Sequence, residues 1–327
     1  MRQNPVAEPV HRLVPSPAGR LHLVEQGEGP LVLLLHGFPE SWYAWRHQLP
    51  VLAAAGYRAA AVDVRGYGRS SRPDAVGAYR MLELVEDNAA VVHALGERSA
   101  VLVGHDWGAT IAATSALVRP EVFRAVALLS VPYTPPGGPR PSEVFSLMGG
   151  QDEFYVSYFQ SPGRAEAEIE PDVRGWLAGF YAALSADTMP GPEAPDPHFV
   201  SPGGRLCDRF PAGPPPAWLG EHDLDVQAGE FERTGFTGAL NRYRNMDRDW
   251  DDLAGLAGAP LTQPSLFAGG ALDASTTWLT AAIEAYGTTL PGLMGAHLLD
   301  GCGHWIQQER PEEVNRLLVD WLAALPT

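Results

Sequence analysis

Gly104-His105-Asp106-Trp107-Gly108, preceded by Ser99-Ala100-Val101-Leu102-Val103 and followed by Ala109 to Val118, is the stretch that decides the fold. The apolar run reads as a buried parallel strand and the later segment as a helix, so the five residues between them form a tight strand-to-helix turn. Such a turn leaves no room for a side chain two places before or two places after its apex, and Gly104 and Gly108 meet that demand. The apex itself points outward. Most turns of this kind carry serine there, whereas this chain carries Asp106. A loop aspartate that merely caps the next helix is the competing reading.

A carboxylate at the apex selects different chemistry from a serine. A serine alkoxide suits attack on an acyl carbon, whereas a carboxylate is ionised at neutral pH and displaces a leaving group from a saturated carbon. The product is an alkyl ester on the protein. Hydrolysis of that ester by water requires a general base, together with donors facing the aspartyl carbonyl.

At 327 residues, 45% of them apolar and with no repeat, the chain can form one large α/β core with an inserted subdomain. Met1 to Pro17 shows no long apolar run or cleavage-like pattern, and no segment approaches the roughly 20 apolar residues that cross a bilayer. A soluble, cytoplasmic protein is expected. Cys207 and Cys302 are too few for a disulfide framework and lack metal-ligand spacing, so free thiols and no metal are expected. The formal charge of -16 argues against nucleic-acid or anionic-membrane partners. Small neutral or apolar substrates fit better. The basic residues other than histidine are all arginine, a bias of genome composition and not of mechanism.

Val10 to Val14 and Arg20 to Glu25 read as strands, and Leu31 to Leu35 as a central parallel strand running into His36-Gly37-Phe38-Pro39. Trp42 to Ala55 reads as a helix, Arg58 to Val62 as a strand, Leu82 to Leu95 as a helix and Ala125 to Ser130 as a strand. This alternation predicts a mostly parallel sheet flanked by helices. From Pro132 to Gly258 it stops, and proline-rich and glycine-rich stretches separate helical segments at Glu153 to Phe159, Pro171 to Leu184 and Asp223 to Phe231. So long a stretch without clear strands is too long for a loop and is read as an inserted helical cap. Alternation returns with a strand at Ser265 to Ala268, a helix at Ser275 to Tyr286, a strand at Gly295 to Leu299 and a helix at Pro311 to Leu325. The expected division is 1–131 and 259–327 for the two parts of the core and 132–258 for the cap.

Nucleophile, acid and histidine in that chain order are the arrangement of an α/β-hydrolase fold. Asp273 follows the Ser265 strand, and His304 follows the last strand within Gly301-Cys302-Gly303-His304-Trp305. His304 is therefore the expected base and Asp273 its orienter, with Asp300 as the competing acid. The oxyanion donors are expected to be the backbone amides of Phe38 and Trp107. His36 is read as a structural hydrogen-bonder that holds its loop.

His36-Gly37-Phe38-Pro39-Glu40-Ser41-Trp42, Arg65-Gly66-Tyr67-Gly68-Arg69-Ser70, the Asp106 turn and Cys302-Gly303-His304-Trp305 together resemble the α/β-hydrolase-fold epoxide hydrolases. In the cap, Phe154 to Gln160 and Leu240 to Asn245 resemble the two tyrosine-bearing motifs of that family. The pattern is most similar to the bacterial members of its soluble, mammalian-like branch and spans roughly Leu31 to Leu325. The resemblance implies that Tyr155 and Tyr243 hold and protonate the epoxide oxygen, with Tyr158 as the competing phenol. A phenol with a pKa near 10 stays protonated at neutral pH and can meet a departing alkoxide.

The implied partners are a small epoxide and water, with no cofactor, and a homodimer is left open. Trp107, Phe38 and Trp305 are expected against the substrate, with Phe159, Trp42 and Met246 as further apolar wall. A hydrolytic haloalkane or haloacid dehalogenase would use the same aspartate, base and oxyanion donors. Phe38 stands where many haloalkane dehalogenases place a halide-binding asparagine, and Trp107 where fluoroacetate-type enzymes place arginine. A third reading, from another class, is a ligand-binding protein with vestigial catalysis.

Overall fold

The computed structural model describes residues 8–191 and 193–326. The reading of Met1 to Pro17 therefore falls partly outside the described residues. Ten strands run in chain order: β1 (Val10–Ser16), β2 (Gly19–Gln26), β3 (Leu31–Leu35), β4 (Arg58–Val62), β5 (Ala100–His105), β6 (Phe123–Leu129), β7 (Glu153–Phe154), β8 (Phe199–Val200), β9 (Ser265–Gly270) and β10 (Leu293–Leu299). Eight of them form one sheet in the order β1-β2-β4-β3-β5-β6-β9-β10. The β1–β2 and β2–β4 pairs are antiparallel, and the pairs from β4 to β10 are parallel.

Strands β3 and β5 are apolar without alternation because both faces of the sheet are covered. On one face Leu33 and Leu102 pack with residues of the helices Met81–Ala94 and Trp107–Val118. On the other, Val32, Leu34, Val101 and Val103 meet Leu49 and Leu52 of the helix Gln48–Ala54 and Val314, Leu318 and Trp321 of the helix Pro311–Ala323. These strands and helices make the α/β-hydrolase fold. No helix among the described residues is long and apolar enough to cross a membrane.

Residues 132–258 contribute no strand to the central sheet. They supply the helices Pro141–Gly149, Val173–Ala183, Glu221–Thr234, Thr237–Tyr243 and Met246–Asp252, together with shorter ones. The segment is not purely helical, because β7 and β8 form a small antiparallel ribbon that pairs Phe154 with Phe199. Glu153 and Phe154 thus lie in a strand where a helix was expected, and the helical turn begins only at Tyr155.

Two core helices also depart from expectation. Trp42 to Ala55 splits into a 3₁₀ turn at Trp42–Trp45 and a helix at Gln48–Ala54. Pro50 accounts for the break, since it lacks an amide and is tolerated only in a helix's first turn. Ser275 to Tyr286 becomes three short helices, Ala274–Trp278, Thr280–Glu284 and Tyr286–Thr289. The Thr277 and Thr280 hydroxyls bond back onto the carbonyls of Asp273 and Thr276 at 3.1 and 3.2 Å, which competes with a continuous helix.

Candidate active site

The loops after β3, β5, β6, β9 and β10 converge at the carboxyl ends of the parallel strands, where open α/β sheets bind ligands. Asp106 stands between β5 and the helix Trp107–Val118 with φ of 54°, a strained value for a residue with a side chain. The flanking glycines are required by contact. A Cβ on Gly104 would lie 2.1 Å from the Gly108 carbonyl oxygen, and one on Gly108 would lie 2.0 Å from that of Leu35.

The loop after β3 meets the Asp106 carboxylate directly. The Phe38 amide donates to Oδ1 at 2.8 Å, and a Cβ on Gly37 would collide with that same oxygen at 2.2 Å. The Trp107 amide opens the helix and has no acceptor among the described residues, so it remains a free donor next to the carboxylate's backbone. His36 donates from Nδ1 to the Gly37 carbonyl at 2.8 Å and accepts the Val64 amide at Nε2 at 3.1 Å, which secures the loop.

His304 approaches the other oxygen of Asp106, with Nε2 at 3.7 Å from Oδ2. Its Nδ1 donates to Oδ1 of Asp273 at 3.1 Å. Burial alone works against the imidazolium, but the charge and hydrogen bond of Asp273, then the charges of Asp106 and Glu40, outweigh it and push His304 up to about 9. Burial likewise opposes ionisation of Asp273, whereas His304, the Ser130 hydroxyl and the Ser275 amide hold that carboxyl below its ordinary value. Asp300, the competing orienter, is exposed in the turn after β10.

Two further groups serve the site without having been picked out from the sequence. Ser130, immediately after β6, has φ of 71°, donates from Oγ to Asp273 Oδ2 at 2.5 Å and lies 3.0 Å from His304 Nδ1. A serine at a strand end is ordinary, and only its left-handed backbone marks it. Glu40 is fully buried and accepts from the side chains of His105, Gln307 and Gln308 at 2.9, 3.0 and 2.7 Å. His105 bonds the His304 carbonyl at 2.8 Å with its other nitrogen. Both ring nitrogens of His105 are thus engaged, one with Glu40 and one with the His304 carbonyl. Burial raises the Glu40 carboxyl, and the charge and bond of His105 more than reverse this. The Asp106 turn, the Glu40 loop and the His304 loop are therefore tied together beneath the site.

A cavity of about 270 Å³ opens above Asp106, lined among others by Phe38, Tyr155, Tyr243, Asp273 and His304. Both phenols therefore line the same cavity as the carboxylate. Burial, followed by the charges of Asp106 and Asp273, raises the Tyr155 phenol, and burial, followed by Tyr155 and Asp106, raises that of Tyr243 well above its ordinary value. Tyr158 lies elsewhere, with its hydroxyl on Glu168 and the Arg164 guanidinium 3.5 Å above its ring.

A family profile described as alpha/beta hydrolase fold matches residues 30–188. Epoxide hydrolase B of Mycobacterium tuberculosis is 44% identical, over 97% of this chain and 99% of that protein. This chain belongs to the epoxide hydrolases of the α/β-hydrolase fold. A solved epoxide hydrolase from an endophytic Streptomyces is 70% identical with a TM-score of 0.95, covering 96% of this chain and 95% of that one. Epoxide hydrolase A of Mycobacterium thermoresistibile is 43% identical with a TM-score of 0.90, covering 98% and 99%.

Within this epoxide hydrolase fold, two tryptophans expected against the substrate, Trp107 and Trp305, are not among the residues that line the cavity. Trp305 is fully buried, with its Nε1 donating to the Tyr181 carbonyl at 3.1 Å and its ring 4.7 Å from that of His304, so it backs the base. Trp107 presses edge-on against Tyr243 at 5.1 Å, with the Arg242 guanidinium 4.9 Å above it. Its bulk is spent on holding Tyr243. Trp42 lies against His11 near the N-terminal strands, away from the site. Phe38 does line the cavity. Among the described residues no cluster of histidine, cysteine and carboxylate side chains is set to hold a metal, and Cys207 and Cys302 are free thiols.

Proposed function

We propose that this chain converts epoxides to vicinal diols through an ester on Asp106, with residues 132–258 acting as the cap that carries the acid. The convergence of the Asp106 carboxylate and two phenols on a single cavity carries the reading. A halide leaves as an anion and needs no proton, whereas a ring-opened epoxide oxygen does, and the phenols of Tyr155 and Tyr243 stay protonated to supply it. The geometry thus favours the epoxide over the dehalogenase reading. Names of the relatives point the same way.

Asp106 Oδ2 is the oxygen left free to attack, because Oδ1 is held by the Phe38 amide. A bond forms from Oδ2 to an epoxide carbon, the ring C–O bond breaks, and the released oxygen takes a proton from a cap phenol. Oδ1 becomes the ester carbonyl already seated on its donor. Esterification also removes the Asp106 charge that helps to keep His304 protonated, so the imidazole releases its proton, the phenolate left by ring opening is reprotonated in exchange, and the neutral imidazole becomes a base. It then deprotonates a water, the hydroxide adds to the aspartyl carbon, and the negative charge falls on Oδ1 facing the Phe38 and Trp107 amides. Collapse expels the diol and regenerates Asp106.

Single-turnover hydrolysis in heavy-oxygen water tests this course. The label is expected in the Asp106 side chain, and label found only in the diol overturns the ester. Absence of diol from any aryl or alkyl epoxide, with chloride released from haloalkanes instead, transfers the protein to the dehalogenase reading.

A further inference from the structure

At the mouth of the cavity stands a histidine that the proposed chemistry leaves unused. His198 immediately precedes β8, and its carbonyl accepts the Tyr155 amide at 2.9 Å, so the ribbon that starts the Tyr155 turn also fixes this residue beside it. The imidazole lies between two rings, with centroids 5.8 Å from Tyr155 and 4.7 Å from Trp278. Its Nδ1 is 2.6 Å from Oδ1 of Asp196, and the same oxygen accepts the His198 amide at 2.9 Å. Nδ1 therefore carries a hydrogen and donates it. Among the described residues Nε2 has no hydrogen-bond partner, although His198 lines the cavity.

What Nε2 can bind follows from its chemistry and its neighbours. In the neutral ring it is a lone-pair acceptor, and in the imidazolium it is a donor. A hydroxyl answers both states, whereas an ether or a carboxylate answers only the second. The cavity lining also contains the carboxylates of Asp106, Asp196 and Asp273 and not one arginine, which disfavours an anionic substituent. Trp278, 40% exposed at the mouth, offers an apolar surface for the carbons leading up to such a hydroxyl.

We propose that His198 is a specificity-determining residue, whose Nε2 binds a hydroxyl on the substrate arm that passes Tyr155 toward the mouth, so that epoxides bearing a distal alcohol are the preferred class. The proposal rests on the epoxide hydrolase reading and adds a recognition site to it. His198 acts on binding and takes no part in either chemical step.

The test compares an unbranched terminal epoxide with its ω-hydroxy counterpart of equal length, in wild type, His198→Phe and His198→Gln. Phenylalanine keeps the ring contacts and removes the nitrogens, while glutamine returns a polar group near the place of Nε2. Loss of one hydrogen bond between neutral groups corresponds to about five- to tenfold. His198→Phe is expected to raise the KM of the hydroxylated substrate relative to that of the alkyl epoxide by about that factor, with the kcat ratio of the two substrates little changed, and His198→Gln to recover part of the difference. Equal losses on both substrates, or none on either, overturn the proposal. Wild-type diol formation from the alkyl epoxide checks the underlying activity by itself, and its absence removes that reading and this proposal together.

Discussion

Nε2 of His304 lies 3.7 Å from Oδ2 of Asp106, beyond hydrogen-bonding range, so the imidazole faces the carboxylate without a hydrogen bond to it. A base that only has to activate water has no need of that bond. His304→Gln should accordingly leave the first half-reaction alive and stop the second. The variant mixed with substrate is expected to gain the mass of the epoxide, seen in the intact-protein mass spectrum and mapped to Asp106. No adduct at any time would remove covalent catalysis from the account.

The pH dependence has a sign set by His304, which the folded chain holds at about 9 against an ordinary value near 6.5. A raised value means that the ion pair with Asp273 contributes fully to stability below about 6.5 and that this contribution is lost as pH rises through about 9. In the ester the Asp106 charge is gone, so the half-point for ester hydrolysis should fall below that of the free protein. Quenched-flow sampling is expected to show a large steady-state fraction of ester in mild acid that shrinks as pH rises. A fraction constant across that range contradicts the role of His304.

Tyr155 and Tyr243 line one cavity with ring centroids 6.4 Å apart, close enough to grip a single oxygen. Either phenol alone can still donate. Tyr155→Phe and Tyr243→Phe are therefore each expected to slow ester formation by about 10²-fold, within the usual range for one acid. The double variant should lose ester formation almost entirely, whereas each single variant should still hydrolyse the ester it forms at close to the wild-type rate. Stopped-flow measurement of the two steps separates these effects, and a double variant no slower than the singles would show that the phenols do not share the work.

Legibility in the sequence followed the range of the interactions involved. The Asp106 turn could be read locally because steric exclusion by Leu35 and Gly108 backbone permits only glycine at positions 104 and 108. Strand β3 matched to the residue because burial on both faces demands an unbroken apolar run. Tyr155 and Tyr243 are 88 positions apart and meet only through tertiary packing, so family likeness and not pattern marks them. Trp107 and Trp305 were placed against the substrate for their adjacency to Asp106 and His304, but adjacency along a helix start or loop does not set which way a side chain turns. Glu40 lies within the His36 to Trp42 motif, yet its partners His105, Gln307 and Gln308 come from two other segments.

Ser130 gives the most discriminating test of how the base is held. Its hydroxyl donates to Oδ2 of Asp273, while Oδ1 of that carboxylate takes the His304 Nδ1 hydrogen and also caps the following helix through the Ser275 amide. Removal of the hydroxyl leaves Asp273 with one support fewer, lets its carboxyl rise toward the ordinary value and loosens the imidazole it steers. Ser130→Ala is expected to slow ester hydrolysis by about tenfold, leaving ester formation and KM nearly unchanged. The residue also occupies φ of 71°, where alanine remains strained and glycine does not. Ser130→Gly should thus recover backbone stability in a denaturant titration yet hydrolyse ester as slowly as Ser130→Ala. Recovery of the hydrolysis rate by glycine would mean that the backbone, and not the hydrogen bond to Asp273, is what this position contributes.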